Sequence, residues 1–247
     1  TPLYSSAASD VYKRQQLAYM KKWLIIILAF TLVNLSTVAQ VKVQRLPRTA
    51  NLTDSALLDV VQKQTFRYFW DFAHPVSGMS RERSNEAYNY GNEVVTTGGT
   101  GFGVMSVLVA TERKWISRDT AAKFLLKMIK FLSKADAYHG VFPHWMNGAT
   151  GKTIPFSRKD DGADLVETAY LFQGLLCARQ YFNGDNNTER DLRNRINWMW
   201  NDIEWNWFTK GGEEVLYWHW SPNNGWAMNF PVRGFNCLLY TSDAADE

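Results

Sequence analysis

The run Lys159-Asp160-Asp161-Gly162-Ala163-Asp164-Leu165-Val166-Glu167-Thr168-Ala169 holds the residue types and spacing best suited to chemistry in this chain. A helix advances about 100° per residue, so Asp160, Asp164 and Glu167 would share one narrow stripe. Asp161 falls to the side of it, where it caps the helix or faces solvent. Leu165, Ala169, Phe172 and Leu176 line the opposite face. Further along the acidic stripe stand Leu171, Gly174 and Ala178, none of them polar. A solvent-facing helix would stay charged along its length. Here the acids gather at one end, as expected of an inner helix whose start opens on a cavity. The positive helix N-terminus attracts acids, which accounts for Asp160 and Asp161 but poorly for Glu167. Carboxylates crowded in this way repel, raising at least one pKa and leaving a proton for general-acid work.

Acid/base cleavage of a glycosidic bond needs a second carboxylate across the scissile bond. Side chains at i and i+4 of one helix project the same way, so that partner must come from another element. Glu213 and Glu214 are available, although a Gly-Gly-Glu-Glu turn reads first as a solvated loop. Arg81 and Arg83 flank Glu82, with surface pairing as the plain reading and sugar-hydroxyl contact as the sharper one. Thr96-Thr97-Gly98-Gly99-Thr100-Gly101-Phe102-Gly103 matches neither phosphate-binding glycine motif and reads as close backbone approach around a cavity. The four histidines, His74, His139, His144 and His219, show no metal-ligand spacing, so no metal site is expected. His144-Trp145 and Trp218-His219-Trp220 read as groove lining.

The elements that must position these residues are helices. Asp54 to Ala73 carries Leu57, Leu58, Val61, Thr65, Tyr68, Phe69 and Phe72 at three- and four-residue spacing, and His74-Pro75 closes it. Gly78 to Gly99 reads as a long polar loop. Residues 101–113 are apolar nearly all round, which marks a helix buried on several sides. Ser117 can cap a third helix reaching Ala137. Val141 to Phe156 changes period and reads as a hairpin or an ordered loop around Gly148-Ala149-Thr150-Gly151. Helices return over 162–181 and 188–204, followed by a short β-rich stretch at 214–220 closed by Pro222-Asn223-Asn224-Gly225. The class is all-α with short hairpin excursions. An inner and an outer helical layer, as in an α/α toroid, satisfies this pattern, and so does a simple bundle.

The chain of 247 residues carries 27 Lys and Arg against 24 Asp and Glu, with no basic block to suggest nucleic acid. Its 11 Trp, 11 Tyr and 14 Phe are the distinctive bulk feature. Flat apolar faces with polar edges suit sugar rings, and the cluster between Trp198 and Trp226 is dense enough to suggest a sugar-lined groove. Residues 1–19 and 237–247 read as translated adapter sequence. Met20, Lys21, Lys22 and the apolar run Trp23 to Val33 read as a signal peptide ending near Gln40, which implies a periplasmic or secreted protein without a stable membrane anchor. Residues 41–236 then form one domain. Cys177 is the one credible native thiol of the 2 Cys, so the core must hold the fold without a disulfide.

Thr96-Thr97-Gly98-Gly99-Thr100-Gly101, Phe142-Pro143-His144-Trp145, the Asp160–Ala169 run, and Trp218 and Ser221-Pro222 with Gly234-Phe235-Asn236 together resemble the glycoamylase-like family. That grouping includes the endo-β-1,2-glucanases of glycoside hydrolase family 144. The resemblance implies an (α/α)6 toroid, here truncated to roughly its first half, that hydrolyses β-glucan with inversion and without a cofactor. It maps the catalytic acids onto Asp160, Asp164 and Glu167. The family carries an acidic residue directly after Gly-Phe-Asn, where this chain has Cys237. Two other classes fit the residues less well: a non-catalytic glycan-binding protein, and a polysaccharide lyase, which the acid-rich cluster disfavours.

Overall fold

Among the described residues, four of the five α-helices begin at a residue whose side chain accepts a hydrogen bond from the first turn, which fixes where each starts. The computed structural model describes residues 52–84 and 93–233. Their order is α1 (Asp54–Trp70), β1 (Val94–Thr96), α2 (Thr97–Glu112), α3 (Arg118–Leu132), β2 (Trp145–Asn147), β3 (Thr153–Ile154), β4 (Ala163–Asp164), α4 (Leu165–Tyr181), α5 (Asn187–Asn201), a 3-10 helix (Trp205–Thr209) and β5 (His219–Trp220). Thr53, Ser117, Asp164 and Asn186 are the caps, the Ser117 hydroxyl accepting from Thr120 N at 3.1 Å. The chain is therefore mainly helical, as its periodicity implies. No helix among the described residues is long and apolar enough to cross a membrane.

Two helices pack backbone to backbone. A methyl group at Gly101 of α2 would run into the Tyr170 carbonyl of α4, and one at Gly174 of α4 would run into Gly101. Glycine removes the Cβ that would otherwise hold the two axes apart. Around this crossing, Leu125, Met128, Ile129 and Leu132 of α3 are buried with Leu165, Leu171, Phe172 and Leu175 of α4 and Leu192 and Ile196 of α5. Each such side chain contributes about 1.5–3 kcal/mol. Arg118 ties α3 to α5: its guanidinium donates to both oxygens of Glu189, at 2.9 and 2.8 Å, and to Tyr181 O at 2.8 Å.

The strands are short and serve the site. β1, β2 and β3 form an antiparallel sheet with Val95 opposite Met146 and Trp145 opposite Ile154. β4 pairs antiparallel with β5, setting Ala163 against Trp220 and Asp164 against His219. The expected Val141–Phe156 hairpin is present as β2 and β3. The 214–220 stretch does not fold on itself: only its last two residues form a strand, and that strand pairs with the residues just before α4.

Several sequence expectations are corrected. α1 closes at Trp70 rather than Ala73, and Leu57, Leu58 and Val61 of its apolar stripe are exposed, because its second half does the packing: Phe66 is buried and Phe69 lies under Gly103. α2 begins at Thr97, before the glycines expected to precede it, and its Phe102, Met105 and Val109 face outward instead of being enclosed. α3 ends at Leu132, α5 at Asn201. Most consequentially, α4 starts at Leu165, so Asp160 and Asp164 do not ride on it. The expected signal peptide, both chain ends, part of the 78–99 loop and the Gly234–Cys237 segment lie outside the described residues.

Candidate functional site

Asp160, Asp164 and Glu167 come together by a different device from a helical stripe. Asp164 is extended (φ −113°, ψ 102°), closes β4 and caps α4. Its Oδ1 accepts from Glu167 N and from Trp218 Nε1, each at 2.9 Å. Asp160 sits in the tight turn before β4, where its carbonyl accepts from Phe156 N at 2.9 Å. Glu167 stands in the first turn of α4. Asp161 caps no helix; its carboxylate accepts from Ser221 Oγ and Asn223 Nδ2 and pins the turn after β5.

Two histidines close around the aspartates. His144 Nδ1 lies 3.2 Å from Asp164 Oδ2 and 3.7 Å from Asp160 Oδ2, while His219 Nε2 lies 3.2 Å from Asp160 Oδ1. His144 Nδ1 and His219 Nε2 make no directed hydrogen bond to these oxygens. Burial opposes the charge on His144, but its contacts with Asp160 and Asp164, and the charges of Asp164 and Glu167, push its pKa up to about 10. Burial would raise Asp160, yet His144 and His219 outweigh it and hold that carboxyl at about 2. Glu167 goes the other way. Burial, then the charge of Asp164, raise its pKa, against a downward pull from His144, Gly98 N–H and the Thr96 hydroxyl.

Glu167 is the one of the three acids that lines an open cavity. This space of about 380 Å³ is walled by Phe102, Trp145, Phe156 and Tyr170, with His144, Glu82, Thr96, Gly98 and Gly99 completing it. Glu167 Oε2 accepts from Gly98 N at 2.8 Å and Thr96 Oγ1 at 3.4 Å. His144 stacks flat on Phe156, ring centroids 4.2 Å apart, and Trp145 meets Phe156 edge-on at 4.8 Å. Asp160 and Asp164 lie buried behind His144. The arrangement presents one carboxyl disposed to hold a proton, beside an imidazolium, within aromatic walls.

The other candidates scatter. His144 and Trp145 line the cavity, and Trp218 supports Asp164 from outside it. Trp220 does not line the cavity; its ring packs against Tyr138, His139 and Trp207. Arg81 is also absent from the lining: its Nε donates to Phe72 O at 3.1 Å and its guanidinium lies over the Phe72 ring. His219 is fully buried behind Asp160 rather than lining a groove. Glu213 accepts from Tyr217 OH at 2.6 Å and borders a separate cavity. Local spacing does not mark Glu82, Phe102, Phe156 and Tyr170 as lining, although Phe102 and Tyr170 lie on the α2 and α4 faces that meet at the cavity.

The nitrogen of His144 and one oxygen each from Asp160 and Asp164 lie within 4.8 Å of one another, a set that could hold a metal ion. Ligand spacing along the chain could not reveal it. A cation there would have to displace the His144 proton that already offsets the two carboxylates.

No family model matches the chain. It is 44% identical over 195 residues to an exo-β-1,2-glucooligosaccharide sophorohydrolase (non-reducing end) of Parabacteroides distasonis, spanning 78% of this chain and 26% of that protein. It also matches the crystal structure of an endo-β-1,2-glucanase from Chitinophaga pinensis in complex with sophorotriose and glucose, with TM-score 0.73 and 51% identity over 77% of this chain and 46% of that one. A Bacteroides uniformis crystal structure, provisionally named a glucoamylase, gives TM-score 0.73 and 56% identity over the same shares. The chain thus spans about a quarter of the curated relative and under half of each solved relative.

Proposed function

We propose, since this chain belongs to the glycoamylase-like proteins of the glycoside hydrolase family 144 type, that the whole protein hydrolyses β-1,2-linked glucan by acid/base catalysis with inversion. The observation that carries the reading is the Glu167 carboxyl. It opens on an aromatic-walled cavity and has its pKa raised by burial and by Asp164. A carboxyl of that kind holds a proton to give to the glycosidic oxygen as the C–O bond breaks. Water then attacks the anomeric carbon from the opposite face and passes its proton to a second carboxylate. Glu82 is the other described carboxylate in the cavity wall; the position after Asn236, acidic in the family and Cys237 here, is the other source. Asp164 caps α4 and sets the Glu167 backbone. His144, held by Asp160 and Asp164, supplies a positive charge at the cavity wall.

The outward apolar face of α2 (Met105 and Val109) supports a toroid completed by further helices, which fits solved relatives of which this chain covers under half. The leader-like segment after Met20 supports a periplasmic or secreted location, with a glucan rather than nucleic acid as partner. The test is product release by the complete protein from β-1,2-glucan beside starch, with and without Glu167→Gln. Release from β-1,2-glucan should fall by about 10²–10⁴ in the variant. Sugar release from starch alone, or full activity in Glu167→Gln, would remove this reading.

A further inference from the structure

A second cavity, of about 950 Å³, shares no lining residue with the Glu167 site. It is built by the 3-10 helix, the turn after it and Trp226. Trp207 is its platform. One face of that indole is taken by the His139 ring, stacked at 3.8 Å with planes 14° apart, yet the residue remains 39% exposed. His139 is itself fixed by Glu204, whose Oε2 lies 2.9 Å from Nδ1. Trp226 stands 6.4 Å from Trp207 with the planes 30° apart, and rests edge-on against Phe208 and Tyr217. The indoles are therefore held rigid before anything binds.

The rim is polar in a specific way. Glu204, Asn206 and Glu213 border the indoles. Lys210, in a left-handed turn with φ 52°, sets its ammonium 3.7 Å from the centre of the Tyr217 ring and 5.2 Å from that of Trp226. Gly211 and Gly212 continue the turn at φ 93° and 107° with open space beside them, which keeps the entrance clear. A protein segment docking here would bury the rim carboxylates against its own apolar surface at a cost. A sugar ring meets both needs, since its C–H face covers an indole while its hydroxyls donate to carboxylates and amides at the edge.

From this geometry we infer a second binding site, for a neutral oligosaccharide, that holds a glucan chain outside the cleavage pocket. The naming of glucan as the ligand rests on the proposed function; the pocket's fitness for a neutral sugar does not.

The experiment uses the complete protein carrying Glu167→Gln, so that bound chains are not cut, titrated calorimetrically with β-1,2-linked glucotetraose. Two sites are expected. Trp207→Ala with Trp226→Ala should weaken one of them about tenfold and leave the other unchanged. Trp207→Phe should retain part of the affinity. In the protein with Glu167 intact, Trp207→Ala should raise KM for long glucan and leave cleavage of a trisaccharide unaltered. The inference is overturned if neither tryptophan change alters binding. It is equally overturned if both Trp207→Ala and Trp207→Phe sharply lower the melting temperature, because the remainder of the protein then occupies the pocket. If β-1,2-linked sugar binds nowhere, but another glucan binds in a Trp207-dependent way, the substrate reading fails and the pocket stands.

Discussion

Gly98 gives its backbone N–H to Glu167 Oε2 at 2.8 Å, and the same oxygen lies 2.5 Å from where a side chain at position 98 would begin. The start of α2 is thus shaped around the carboxyl of α4, and the glycine is needed for space as well as for its donor. Gly98→Ala is expected to displace the carboxyl and lower kcat by about 10²-fold, the usual cost of a misplaced catalytic group. Melting temperature should change little, because Glu167 can swing into the cavity. Unchanged kcat would show that Glu167 need not sit there.

The raised pKa of Glu167 gives the pH profile a sign. A general acid works protonated, so hydrolysis should fall as pH rises through that raised value. Asp164→Asn removes a cause of the rise and should move this alkaline limb to lower pH. His144→Gln removes an opposing charge and should move it to higher pH. Rate measurements across pH on the two variants check the pair of opposite shifts. Movement in the same direction would contradict the assignment.

The buried charges also set a stability window. His144 is raised from about 6.5 to about 10, so its contribution is complete below about 6.5 and is lost as pH climbs to about 10. Asp160 is lowered from about 3.8 to about 2, so its contribution is complete above about 3.8 and is lost as pH falls to about 2. Denaturant titrations should therefore place the plateau between these ranges. His144→Gln should flatten the alkaline decline while lowering stability at neutral pH, where the aspartates lose their countercharge. An alkaline decline of full size in that variant would assign it to another group.

Trp218→Phe tests the support behind the cap. Asp164 Oδ1 loses one of its two donors and keeps Glu167 N, so a buried carboxylate is left partly unsatisfied. A loss of about 1–3 kcal/mol is expected by chemical denaturation. Activity should fall less than in Glu167→Gln. A neutral substitution would mean that this hydrogen bond contributes nothing to the site.

Gly101→Ala and Gly174→Ala probe the crossing of α2 and α4. Each inserts a methyl group into the opposing backbone, and helix axes locked by a full core yield poorly, so about 3 kcal/mol of destabilisation is expected from either. Stability within experimental error of the parent would show that the helices slide freely.

Much of the local architecture is legible along the chain. The helix periodicities, the Ser117 cap, the hairpin around Gly148–Gly151 and the choice of Asp160, Asp164 and Glu167 all rest on local pattern, because caps and apolar spacing act over a few residues. Family motifs then pointed to the toroid type and to glucan. Local pattern also misled: Asp160 and Asp164 keep the spacing of a helical stripe, yet the pairing of Ala163–Asp164 with Trp220–His219 holds them extended and starts the helix at Leu165.

That pairing joins residues more than fifty positions apart, and no periodicity encodes it. The same holds for the convergence of His144 and His219 on the aspartates, for the choice of Glu167 as the acid that faces open space, and for the enclosure of that space by Phe102, Phe156 and Tyr170. Charge states followed from this assembly and not from residue type. One carboxyl gained two histidine neighbours and was lowered, while another gained burial and a nearby anion and was raised, a division that exists only once the chain has folded around them.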